Sequence, residues 1–239
     1  MINNLLLCAS LIVTFGSVLL AYILFGKKGL YCMSVIATVL ANIEVAILIK
    51  AFGMEQTLGN ILFASTFLIT DILSECEGKK AAGKAVYMSV FASVFFLAIS
   101  QSWMLYEPSE ADMVMPSVKG LFSSTPRLIA SSLVVYAVSQ LFDVWLYHKW
   151  WEFTDKKFGN HRKFLWIRNN GSTLISQLLN TFLFTIAAFA GQYDLKTVLS
   201  IFLSSYIIYI VTSLLDTPFV YLARKIHDNR EMKTGEQIS

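Results

Sequence analysis

Charge is what this chain has least of. Only 15% of its 239 residues are Asp, Glu, Lys or Arg, against roughly 25% in a soluble domain. With 56% hydrophobic residues and a mean hydropathy of +0.60, so little polar surface excludes an ordinary water-soluble fold. Cysteine is scarce as well. Cys8, Cys32 and Cys76 have neither paired nor metal-type spacing, which speaks against a disulfide scaffold and a thiolate metal site. The three histidines, His148, His161 and His227, stand in basic stretches without a partner at ligand spacing. A phosphate-cradling glycine loop and a Ser/His/Asp arrangement are both missing. The sequence therefore points away from an enzyme and implies neither metal nor organic cofactor. A cleavable signal is not expected, because Met1-Ile-Asn-Asn lacks a basic start and the first apolar run is long enough to span.

Long apolar runs are what the chain does have. Seven can be read, at Leu5–Phe25, Leu30–Phe52, Thr57–Glu75, Lys84–Leu105, Arg127–Tyr147, Asn170–Gly191 and Thr197–Ala223, each near the ~20 residues a bilayer needs. They predict an all-α integral membrane protein, a bundle of about seven transmembrane helices. Residues 1–226 form the single transmembrane domain and 227–239 a polar cytoplasmic tail. The last segment exceeds a bilayer's need, so it tilts, kinks near Pro218 or protrudes. Loop charge alternates. Lys27 and Lys28, then Lys79, Lys80 and Lys84, then six residues from Lys149 to Arg168, then Arg224, Lys225, Arg230 and Lys233 lie on one side. Only Lys50, Lys119, Arg127 and Lys196 lie on the other. The positive-inside rule puts the N-terminus outside and the C-terminus in the cytoplasm. A net charge of +3, placed this unevenly, speaks to topology and not to a nucleic-acid partner.

Polar groups inside these runs are ordered. Segment two carries Asn42. Segment three carries Asn60, Phe67, Asp71 and Glu75 on one helical face. Segment five repeats the device with Ser132, Tyr136, Gln140, Asp143 and Tyr147, and segment seven with Ser205, Tyr209, Thr212 and Asp216. Segment six opens with Arg168, Asn169 and Asn170, then sets Thr173, Gln177, Asn180, Thr181 and Phe184 on one stripe. Taken singly, such groups are interhelical glue. Three aspartates together, at roughly 2.5–3.5 kcal/mol each on an insertion scale, exceed what packing demands and suggest the wall of a cavity. Arg127 and Arg168 each stand at a segment entrance, as interface anchors or as recognition groups; the two amides beside Arg168 favour recognition there. Ser139-Gln-Leu-Phe-Asp143 recurs as Ser176-Gln-Leu-Leu-Asn180 one span later, as in an inverted repeat.

Five of these stretches carry a resemblance. They are Asn60-Ile-Leu-Phe with Phe67-Leu-Ile-Thr-Asp71-Ile-Leu-Ser-Glu75-x-x-Gly78-Lys-Lys, Pro126-Arg-Leu-Ile-Ala-Ser131, Ser139-Gln-Leu-Phe-Asp143-Val, Arg168-Asn-Asn-x-Ser172-Thr-x-x-Ser176-Gln, and Leu215-Asp-Thr-Pro-Phe219. In this order they resemble the queuosine precursor transporter family of integral membrane proteins. The family pattern is departed from at Asn180, where an aspartate is usual, and at Glu77, where an aromatic is common. The resemblance implies a fold related to the small vitamin-uptake, S-component-like proteins and a place in the inner membrane. It also implies import of 7-deazaguanine bases: the 7-cyano and 7-aminomethyl forms, or queuine. The expected partners are then a small deazapurine base and the lipid bilayer, with a homodimer left open and a separate ATPase module less favoured. Such a base is flat and neutral. Its adjacent N1–H and NH₂ suit a carboxylate, from Asp71, Asp143 or Asp216, and its O6 suits an amide or guanidinium donor.

Overall fold

The computed structural model describes residues 2–123, 126–159, 164–189, 191 and 193–236. Among these it has eight α-helices and one β-hairpin: α1 (Ile2–Phe25), α2 (Lys27–Glu44), β1 (Leu48–Ala51), β2 (Met54–Thr57), α3 (Asn60–Cys76), α4 (Lys79–Trp103), α5 (Met115–Ser123), α6 (Pro126–Phe158), α7 (Leu165–Phe189) and α8 (Leu195–Glu236). Helix α3 is the axis of the bundle. It packs on α1, α2, α4, α6 and α8 and is buried from Asn60 to Ser74, save for Leu62. A helix apolar nearly all round is stable only when enclosed like this. The burial pattern is that of a lipid-solvated protein. Leu5, Leu20, Phe91, Phe95 and Leu203 are exposed, while Ser34, Thr38, Asn42, Thr66, Thr70 and Asp71 are buried. The chain is an all-α multi-pass membrane protein.

Five helices, α1, α4, α6, α7 and α8, are long and apolar enough to cross a membrane. The sequence leads one to expect seven. The other two runs become α2 and α3, of 18 and 17 residues, about 27 and 26 Å long; α3 is enclosed by its neighbours, whereas α2 keeps Ile36 and Leu40 exposed. Segment two does not remain helical to Phe52. It ends at Glu44, and Leu48–Ala51 pairs antiparallel with Met54–Thr57, setting Lys50 opposite Glu55. The reason is the tight turn: Phe52 and Gly53 both have positive φ, 52° and 77°, the two-residue geometry that matches strand twist. Irregular backbone of this kind is tolerated in a membrane domain where protein covers it. Asn3 Nδ2 donates to the Lys50 carbonyl and the Phe52 N–H donates to Asn4 Oδ1, which ties the hairpin to the start of α1. Segment three consequently begins at Asn60 and not at Thr57.

Other boundaries shift outward. Gly78, with φ 84°, separates α3 from α4 as its position after Glu77 suggests. Helix α6 continues to Phe158, and α7 begins at Leu165, so Arg168, Asn169 and Asn170 are helical. Short α5 has no counterpart among the expected segments. Helix α8 runs unbroken through Pro218 to Glu236, so residues 227–236 continue it as helix. Asp194 caps its start: the Thr197 hydroxyl donates to Oδ1 at 2.6 Å, and the Lys196 and Thr197 N–H groups donate to Oδ2. The Thr197 bonds hold this carboxyl below its ordinary range. At the far end Arg230 donates to the Tyr22 and Ile23 carbonyls and so caps α1.

Candidate functional site

The polar stripes of α3, α6, α7 and α8 turn toward one another and form a continuous seam. Its ends are named here by Glu75 and Asn60. At the Glu75 end, Arg168 of α7 donates from Nε and Nη2 to the two oxygens of Glu75 at 2.9 and 2.5 Å. Tyr147 of α6 donates its hydroxyl to Oε2 at 2.6 Å, and Arg224 of α8 lies 3.1 Å from Oε1. Trp151 covers the Arg168 guanidinium at 4.4 Å. Arg168 is 0% exposed and the Glu75 side chain 2%. Four helices are therefore joined through one carboxylate.

One turn further in lie the aspartates. Thr173 donates to Asp71 Oδ2 at 3.0 Å, Ser176 to Asp143 Oδ1 at 2.6 Å, and Asn169 Nδ2 to Asp216 Oδ1 at 2.8 Å. Asp71 and Asp143 approach carboxyl to carboxyl, with Asp216 close enough to feel both. All three are buried, on α3, α6 and α8, and α7 supplies every donor just named. Asp71 Oδ1, Asp143 Oδ2 and Asn169 Oδ1 accept no hydrogen bond from any N–H or O–H donor. Buried acceptors left this way are costly, and a guest's donors reach those of Asp71 and Asp143 only when the two carboxyls move apart. The repeated motif has a spatial meaning here: Ser176 of the second copy donates to Asp143 of the first. Asn170 lies beside this group, donating to the Thr217 hydroxyl at 2.7 Å and accepting from Ser213.

Toward the other end, Gln140 exchanges hydrogen bonds with Thr66 and Thr70 of α3. The Tyr136 hydroxyl accepts from Thr38 at 3.4 Å, and its ring packs on Phe63. Asn42 bridges Ser93 and Ser132. The seam then opens into a narrow hollow of about 20 Å³, room for a single water, lined by Val45, Thr57, Asn60, Phe63, Ser132, Asn180, Phe184 and Tyr209. Asn60 Oδ1 accepts from the Thr57 and Tyr209 hydroxyls at 3.1 and 3.2 Å. Asn180 donates weakly to Gln177 at 3.5 Å.

The structure thus gathers Asn60, Asp71, Glu75, Gln140, Asp143, Arg168, Asn169, Asn170, Thr173, Gln177, Asn180 and Asp216 along one seam, but not around one cavity. Phe67 is buried in α3 and is not among the residues that line this hollow. Asn42 and Tyr136 sit at the border with α2 and α4, held by small hydroxyl residues. Arg168, singled out for recognition, is engaged by Glu75. The Arg127 side chain lies outside the described residues. Sequence reasoning missed Thr57 and passed over Tyr209, although Tyr209 stands two helical turns before Asp216 on the same stripe. Arg224 gave the signal of a topology charge, and nothing in its spacing tied it to Glu75.

The model of a family described as "putative vitamin uptake transporter" matches residues 57–223, the span that holds this seam. A Bacillus subtilis (strain 168) protein named "Probable queuosine precursor transporter" is 36% identical over 231 residues, 97% of this chain and 99% of that one. No solved structure matches. On both the family model and the near full-length relative, the chain belongs to this vitamin uptake transporter family of membrane proteins.

Proposed function

We propose that the chain imports queuosine precursors, namely 7-cyano- or 7-aminomethyl-7-deazaguanine or queuine base, by exposing the seam alternately to the two sides of the membrane. The observation that carries this reading is the meeting of Asp71, Asp143 and Asp216 inside the bundle with acceptor atoms still free of donors. A deazaguanine supplies what they lack, two adjacent N–H donors and no charge to desolvate. The name of the 36% identical relative points the same way. Loop charge favours an inner-membrane orientation with the N-terminus outside and the Glu75 end at the cytoplasm. In that orientation the conformer is shut toward the cytoplasm by the Glu75 network. Its hollow lies on the outer side and is too narrow to admit a base until the helices part.

Reconstituting the purified chain alone in liposomes tests this. Labelled 7-cyano-7-deazaguanine should accumulate, be recovered chemically unchanged and be displaced by the 7-aminomethyl form. No accumulation would rule out autonomous transport. Binding of every base left untouched by Asp143→Asn with Gln177→Ala would remove the seam from the reading.

A further inference from the structure

Asp71 and Asp143 meet carboxyl to carboxyl in the middle of the bundle, and each is 0% exposed. One oxygen of each is accounted for, Asp71 Oδ2 by the Thr173 hydroxyl and Asp143 Oδ1 by the Ser176 hydroxyl. The other two, Asp71 Oδ1 and Asp143 Oδ2, are buried with no N–H or O–H to accept from. Their neighbours do not offset two negative charges. Helix α8 presents a third carboxyl, Asp216, itself held by Asn169. Helix α7 presents the neutral Thr173 and Ser176, and its Arg168 is forked onto Glu75. Two ionised carboxylates in contact out of water repel strongly. One proton placed between them turns the same contact into a charge-assisted hydrogen bond.

We propose that Asp71 and Asp143 share a single proton and that this proton reads the base: Asp71 keeps it as an acid and donates it to the ring carbonyl, while Asp143 stays a carboxylate and takes the neighbouring N–H and NH₂. The assignment rests on the transport reading above and adds the chemistry of recognition to it. The edge of a deazaguanine runs acceptor, donor, donor, through O6, N1–H and the 2-amino group. An acid beside a carboxylate runs donor, acceptor, acceptor, which is its complement. Two bare carboxylates would set an acceptor against O6. Which aspartate keeps the proton follows from the hydroxyls. Ser176 donates to Asp143 at 2.6 Å, within the range for an O–H bond to an ionised carboxylate, whereas Thr173 donates to Asp71 at 3.0 Å, a neutral length. In the empty, closed conformer Asp71 spends its hydrogen on Asp143. When the helices part, that one hydrogen bond is exchanged for three to the base. The net charge of the pair is unchanged, and no proton is taken up or released on binding.

The test uses the full chain in liposomes with labelled 7-cyano-7-deazaguanine. Asp71→Asn supplies a fixed N–H where the acid had its O–H, so the half-saturating concentration should stay within about threefold of wild type, the hydrogen bond being kept. Asp71→Leu removes the hydrogen and Asp143→Asn removes the carboxylate, and each should raise it about tenfold, one hydrogen bond lost. Asparagine at position 71 failing as badly as leucine overturns the assignment, and so do equal effects of Asp71→Asn and Asp143→Asn. The proton itself is read by infrared spectroscopy of the purified chain. Wild type should show the C=O stretch of a protonated carboxyl, shifted when the base is added and missing from Asp71→Asn. A difference spectrum between wild type and Asp71→Asn that holds no acid band overturns the proposal, as does a band that base leaves unmoved. Should the variants not fold, the wild-type shift on adding base decides alone. Wild type that carries no base defeats the transport reading, whereas wild-type uptake without an acid band defeats only the shared proton.

Discussion

The two ends of the seam are closed by opposite means. At the Glu75 end one carboxylate gathers a buried forked guanidinium, a buried phenol and a second, partly exposed arginine, with Trp151 over the first guanidinium. At the Asn60 end neutral hydroxyls and amides surround a hollow and leave a donor free. A network of charges opens as a unit, because removing any one member strands the others out of water. Neutral bonds inside a membrane bundle average about 0.6 kcal/mol and can be exchanged singly for those of a guest. A ligand can therefore enter where the bonds are neutral, and the helices must separate together where they are charged.

The largest effect should come from breaking the charged end. Arg168→Gln leaves Glu75 with Arg224 and Tyr147 and should cost roughly 1.5–3 kcal/mol, the worth of a hydrogen bond to a charged group, read as a large fall in melting temperature in detergent. Pairing it with Glu75→Gln should recover part of that loss; a double variant no more stable than the single one would mean that charge is not what closes this end. Next comes the middle of the seam. Asp143→Asn keeps the bond from Ser176 but replaces one acceptor with a donor facing Asp71, and should lower base uptake about tenfold with melting little changed. Uptake at the wild-type level would show that the carboxylate does not meet the guest. Gly53→Ala forces a side chain onto a residue at φ 77° and should destabilise the hairpin by about 1 kcal/mol, seen as faster amide exchange over residues 48–57. Smallest should be Thr38→Val at the neutral border, about 0.6 kcal/mol by thermal unfolding. A loss there as large as that for Arg168→Gln would erase the contrast between the two ends.

Much of this arrangement was readable in the chain. Asn60, Asp71 and Glu75 do share a face of α3, and Gln140 and Asp143 share a face of α6 opposite it, because a 3.6-residue repeat carries that information locally. The hairpin was not readable as such. From Val45 to Leu58 the chain is a mostly apolar run with no strict period, which suits a helix or a buried strand equally. The turn that decides between them, at Phe52 and Gly53, lacks the usual Asn-Gly signal. The hollow was hidden for another reason. Thr57, Asn60, Ser132, Asn180 and Tyr209 come from five separate elements, and no spacing along one of them announces the others. The same holds for Arg224, whose sequence context is that of any basic residue at a membrane face.

By itself the sequence determined that the chain lives in lipid, that its helices carry polar stripes, and which face of each helix is polar. Those properties follow from composition and helical period alone. Only the tertiary structure decided that Glu75 would be held by Arg168, Arg224 and Tyr147, that Asp71, Asp143 and Asp216 would meet, and that Asn60 would keep a buried donor without a partner. Who pairs with whom is set by how the helices pack, and packing depends on side chains far apart in the chain meeting at distances no local pattern records.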